Sequence, residues 1–155
     1  MAKTLDFDVA KADRGFAAQF FNDTWGFLDK AGRSEEETEA MIQCCHASFH
    51  HWNRVADATP TNRSVGYWQL SRVYVVAGMA AEAERYALRC LEAARAPGVD
   101  QWAIASAHEA VARAAALRGD RATRDAHLAE ARTVAAAVTD KEDREIVEKD
   151  IASVP

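Results

Sequence analysis

The chain has 155 residues, of which 49% are hydrophobic and 28% charged, with 24 acidic against 19 basic side chains and a net charge of −5. This length suits one domain, spanning residues 1–155, with a sizeable core, and this balance is globular rather than disordered. An acidic chain lacks the basic surface that displaces counterions from nucleic acid or docks on an anionic membrane, and no apolar run approaches the ~20 residues of a membrane span, so neither is expected as a partner.

Runs of β-branched residues in period-two alternation are absent, so every predicted element is a helix. The N-terminal stretch MAKTLDFDVAKADRG lacks the apolar core of a signal peptide, and a cytoplasmic location is expected. The first helix is read from about Val9 to Asp29, with Phe16, Phe20, Phe21, Trp25, Phe27 and Leu28 forming a broad apolar face. It ends at Ala31-Gly32. The second helix has the clearest start signal, Ser34 followed by Glu37, the pattern of a capping box. It is expected to run to about Val55 or Ala56, burying Met41, Cys45, Trp52 and Val55.

Thr59-Pro60 breaks the pattern, with Pro60 suited to the first turn of a third helix. Tyr67, Leu70, Tyr74 and Ala77 then recur at helical spacing, Gly78 interrupts, and Ala83, Ala87, Cys90, Leu91 and Ala94 resume it. The stretch reads as an αα-hairpin turning at Gly78. Ala96-Pro97-Gly98 makes a loop, and Asp100 is the expected N-cap of an alanine-rich fifth helix that ends at Gly119. Asp120 caps a sixth helix reaching about Val138. Thr139 with Glu142 is a second capping-box candidate, opening a terminal helix whose Ile146, Val147 and Ile151 are expected to turn inward.

The hairpin around Gly78 resembles a tetratricopeptide repeat (TPR). Tyr67, Leu70, Ser71 and Tyr74 fall on that family's first-helix aromatic, leucine, small and tyrosine positions, and Ala83 and Cys90-Leu91 on those of its second helix. Ala87 departs from the larger residue usual there, and Pro97 comes late. Gly32, Gly78 and Gly119 each separate two helices, at spacings longer than the ~34 residues of an ordinary repeat. The resemblance covers about residues 16 to 138 and is strongest in the middle. It implies an all-α right-handed superhelix of about seven helices, with hairpins at roughly 9–56, 61–95 and 100–138 and a terminal helix at 140–152. The chain is also similar to bacterial TPR-like proteins of no assigned activity.

In TPR arrays the first helix of each pair lines a concave groove. Carried over by position, that groove is built from Asn22, Trp68, Arg72, Glu109 and Arg113. Trp68 offers a rigid apolar face, and the two arginines can fork onto a carboxylate or backbone carbonyls. The competing reading is that Arg72 and Glu109 form an inter-helix salt bridge while Trp68 is core.

His46 and His50 stand four apart on one helix, a spacing that places two imidazoles on one metal. Glu39 and Asp57 share their stripe, but each is two turns from the nearer histidine, or ~10.5 Å at 1.5 Å per residue. A third ligand must come from another element. The bland alternative is a solvated helix face. His51 borders the buried face, where a packed, hydrogen-bonded histidine is expected. His108-Glu109 opens like HExxH, but Ala112 stands where the second histidine must be. No glycine-rich phosphate loop occurs, and Cys44, Cys45 and Cys90 are expected as free thiols in a helical setting. Of the four tryptophans, Trp25 and Trp52 are expected in the core, while Trp68 and Trp102 could share a partner surface.

The sequence thus points to a non-enzymatic module that binds a protein or peptide, a second copy of itself included, and implies no cofactor. A metal-binding, hydrolytic protein using His46 and His50 is the alternative. A domain holding a small ligand between the first and third helices is the third reading.

Overall fold

The structure is a computed structural model describing residues 6–155. The first five residues, at the start of the stretch read for a signal peptide, lie outside the described residues. The described chain is all-α, with seven helices in two compact units, Met1–Ala58 and Thr59–Pro155.

The first unit is a hairpin of α1 (Val9–Leu28) and α2 (Glu35–Trp52). Asp8 caps α1 by accepting from the Lys11 N–H at 3.0 Å. The capping box read from Ser34 and Glu37 forms with both arms, at 3.2 and 3.0 Å. Between the helices Gly32 adopts φ +67°, the left-handed region that glycine enters without a steric penalty. Arg33 closes the end of α1 with its guanidinium, donating from Nη1 to the carbonyls of Phe27 at 2.7 Å and Leu28 at 3.1 Å. A cation at these end carbonyls adds to the backbone bond that Lys30 N–H makes to Phe27 and suits the helix dipole.

Buried Ala17, Met41 and Cys45 mark where α1 and α2 meet. Ser48 lies in the same seam and donates to the Ala17 carbonyl at 2.8 Å. Trp25 and Trp52, expected in the core, are only half-buried. The second helix also stops at Trp52, short of Val55, because Asn53 and Arg54 close it with backbone bonds to Phe49 and His51.

The second unit begins at the Thr59-Pro60 break. It comprises α3 (Pro60–Val76), α4 (Ala80–Ala93), α5 (Gln101–Arg118), α6 (Arg121–Ala136) and α7 (Lys141–Ala152). Pro60 occupies the first turn of α3, and Thr59 and Asn62 cap it reciprocally. The α3–α4 turn places Gly78 at φ +73° with the Met79 N–H on the Tyr74 carbonyl, a tight reversal that makes the two helices antiparallel neighbours. Tyr74 and Tyr86 stack across the hairpin at 5.5 Å, and Ser71 donates to the Ala83 carbonyl at 2.9 Å. The α5–α6 turn repeats the device at Gly119.

Helix α5 is buried on most of its circumference, because α3, α4, α6 and α7 all pack on it. Its alanines let four helices approach one axis without side-chain clashes. Leu128 and Ala131 of α6 and Val147 and Ile151 of α7 complete the core at that end.

Two expectations are corrected here. Asp140, not Thr139, caps α7, accepting from the Asp143 N–H at 3.0 Å. Ile146 lies off the stripe of Val147 and Ile151, and is 62% exposed instead of turned inward. Asp100 is the N-cap of α5 as expected, and its carboxylate accepts from Thr61 Oγ1 at 3.0 Å instead of from an N–H of the helix.

Leu70 on α3 is completely buried. Leu70→Ala is expected to cost about 2–5 kcal/mol, the range for truncating a buried leucine that leaves a cavity. Urea unfolding followed by circular dichroism measures it, and a loss below about 1 kcal/mol would mean that the site collapses around the deletion.

Candidate functional site

Four of the five residues carried over as a groove come together in the second unit. Trp68 and Arg72 are one turn apart on α3, and Glu109 and Arg113 one turn apart on α5, so each helix projects its pair from a single face. Glu109 is at the centre with 0% exposure. Trp68 Nε1 donates to its Oε2 at 2.9 Å. Arg72 Nη2 donates to Oε1 at 3.2 Å, and Arg113 Nε donates to the same oxygen. The Arg72 guanidinium also lies 5.0 Å over the Trp68 ring.

A lone carboxylate at this depth would be strongly disfavoured, since burial removes its hydration. Two guanidinium groups and an indole N–H replace that hydration shell. Among the described residues no buried side-chain nitrogen or oxygen is left without a partner.

Helix α7 completes the arrangement. Arg72 meets Asp150 Oδ1 at 3.3 Å. Arg113 Nη2 donates to the Asp150 carbonyl at 3.0 Å and to Ser153 Oγ at 2.7 Å, while Nη1 reaches the Ser153 carbonyl at 3.4 Å. One guanidinium thus reads the last turn of a helix, where carbonyls lack intrahelical partners. Burial pushes the Asp150 carboxyl above its ordinary range, against the pull of Arg72.

The expectation of an open groove is therefore corrected at these four residues. Their polar atoms face one another and α7 instead of solvent, because a carboxylate buried on α5 draws the donors of α3 and of its own helix inward. The reading of an Arg72–Glu109 salt bridge with an inward Trp68 matches the contacts. Asn22, the fifth groove residue, lies exposed on α1 of the first unit.

His46 is half-buried on α2, and burial pushes its imidazole below its ordinary value, while His50 is exposed. Among the described residues no group of three or more His, Cys, Asp and Glu side chains is placed to hold a metal ion. His51 is the packed histidine expected: its Nδ1 lies 2.7 Å from Asp13 Oδ1, under the rings of Phe16 and Phe20. Arg54 Nε donates to both oxygens of Asp13, at 3.1 and 3.0 Å. The bond from His51 above all holds the Asp13 carboxyl below its ordinary value.

Cys44, Cys45 and Cys90 are free thiols. Burial raises all three, Cys90 to about 12, so they stay protonated and poorly nucleophilic near neutrality. Trp102 is half-buried against the α5–α7 core.

Sequence reasoning missed Asp13, Asp150, Ser153 and the contact between His108 and His127. A signal existed for Asp13, an acidic residue among the apolar positions of the first helix. Asp150 and Ser153 carried none, since exposed helix ends commonly contain both types.

Compared with known protein families, curated proteins and solved structures, the chain matches none.

Two outcomes test the cluster. Glu109→Ala strands Arg72 and Arg113 around an unpaired site and is expected to cost about 3–5 kcal/mol in urea unfolding. A cost near that of an ordinary surface substitution would remove Glu109 from the centre of the unit. Asp150 gives a pH signature. A carboxyl raised by folding contributes stability that is full below its unfolded value of 3.8 and is lost as pH rises through its folded value. The stability of Asp150→Asn relative to the wild type is therefore expected to improve as pH climbs through that window. Parallel pH profiles of thermal unfolding for the two proteins would contradict it.

Proposed function

We propose that the chain is a non-enzymatic, TPR-like binding module that recognises the C-terminal turn of an acidic helix on the face formed by α3 and α5. The observation that carries this reading is the grip of Arg113 and Arg72 on α7. Three hydrogen bonds read the carbonyls and hydroxyl of a helix end, and one ion pair reads a carboxylate in the same turn. Such contacts select a helix terminus through its spare carbonyls, with Arg72 offsetting part of the burial cost of an acidic residue there, and place no demand on the rest of the sequence. In the isolated chain α7 is the resident occupant. A protein or peptide partner ending in a similar acidic turn, a second copy of this chain included, competes for the same donors. The acidic net charge argues against nucleic acid or an anionic membrane as the partner. A cytoplasmic setting fits the free thiols.

The test loosens the resident helix and supplies it from outside. A chain carrying Asp150→Ala and Ser153→Ala is titrated into a fluorescein-labelled peptide of residues 140–155 and followed by anisotropy. Saturable binding is expected, and adding Arg113→Ala is expected to weaken it by roughly 10- to 100-fold, the loss of hydrogen bonds to a charged donor. No saturable binding by a folded variant would reduce the contact to a purely internal brace.

A further inference from the structure

His108 of α5 and His127 of α6 meet across the helix pair on a face distinct from the Glu109 cluster. Their Nδ1 atoms are 3.0 Å apart, with ring centroids at 5.2 Å and ring planes inclined by 33°. Both side chains are half-buried and neither helix carries the other, so the pairing is made by the fold. We propose that His108 and His127 form a two-imidazole site for a first-row transition-metal ion such as Cu²⁺, Ni²⁺ or Zn²⁺, with Glu130 as the adjoining carboxylate.

The geometry supports it first. Two nitrogens bound side by side to one ion at ~2.0–2.1 Å lie about 2.9–3.4 Å apart. The observed separation falls in that window, so an ion can replace the hydrogen bond between the rings after small ring rotations, with both backbones in place.

The chemistry agrees. The neutral pair holds one Nδ1–H that donates and one Nδ1 that accepts. On binding, the donating ring moves its proton to Nε2, so both Nδ1 lone pairs reach the metal and no proton leaves the neutral pair. Burial lowers the proton affinity of both rings, and Arg95 and the neighbouring ring lower that of His108 further. Both imidazoles are thereby available as neutral ligands near pH 7. Glu130 stands one turn beyond His127 on α6, and its charge acts on both rings in the opposite sense. It lends the site a negative charge, and the two imidazoles are the protein ligands. Water fills the remaining positions. Arg95 is the opposing cation, and it is ion-paired to Glu92 at 2.8 Å. Imidazole with carboxylate suits Cu²⁺, Ni²⁺ and Zn²⁺, and the order of affinity is expected to follow the Irving–Williams series, Cu²⁺ tightest.

The test uses the untagged full-length chain, freed of metal with a chelator and titrated with CuCl₂, NiCl₂ and ZnCl₂ by calorimetry. One equivalent of Cu²⁺ per chain is expected at pH 7.5, weakening only as pH falls below the ordinary imidazole value of about 6.5 and the rings protonate. His127→Ala and His108→Ala are each expected to weaken binding at least tenfold, and Glu130→Gln by less. The His46→Ala/His50→Ala double variant is expected to bind like the wild type. Circular dichroism identifies any variant that fails to fold, and His127→Gln, at the more exposed ring, is the fallback. The site is overturned if the wild type takes up no ion with metal in excess, or if folded His127 variants bind unchanged. Loss of binding in the His46/His50 variant alone would move the metal to α2 and equally reject it.

Discussion

The second unit depends on one buried charge. Glu109 sits at the middle of the helix that touches all four others in the unit, and its carboxylate has no access to water. Every donor that stabilises it comes from a defined register: Trp68 and Arg72 from α3, Arg113 from the next turn of α5. A slide of α3 along α5 by one turn would strip the carboxylate of the indole N–H and the Arg72 guanidinium, leaving Arg113 alone. Apolar packing between alanine-rich helices has little such selectivity, because small side chains interlock weakly. The charge thus selects one alignment among several that the alanines would tolerate, at a cost in desolvation that its donors offset.

The same charge links α7 to the array. Arg72 and Arg113 neutralise Glu109 and still have N–H groups to spare, and the last turn of α7 has carbonyls to spare. Each side completes the other. The unit therefore closes with a helix whose apolar stripe is short, Val147 and Ile151, and whose polar end contributes much of its specificity. An element held largely by polar contacts is also one that a competitor with the same polar groups can replace, which is the physical basis of the binding reading.

The first unit solves a similar problem differently. Asp13 is matched by His51 and Arg54 near the open end of a two-helix hairpin, with Phe16 and Phe20 covering the histidine. Burial holds the Cys45 and Cys90 thiols protonated, and Ser48 donates to a backbone carbonyl. The polar interior of this protein is arranged to set register.

Much of the local structure was legible in the residues. Periodicity around Tyr74 and Cys90, the glycines at 32, 78 and 119, and the caps at Ser34 and Asp120 specify seven helices and their turns, because caps and turns are chosen by backbone groups within a few residues. The cap of α7 was misplaced by one residue because Thr139 and Asp140 are adjacent and both good caps. Nothing local told whether Trp68, Arg72, Glu109 and Arg113 would face solvent or one another. Side-chain chemistry alone allows both, and the difference lies in whether a further helix covers them. The helices and their order were thus determined by the sequence on its own, through short-range hydrogen bonding and apolar periodicity. The burial of Glu109, the capture of α7 and the meeting of His108 with His127 were decided only by tertiary structure, because each joins residues on different helices through the packing of those helices.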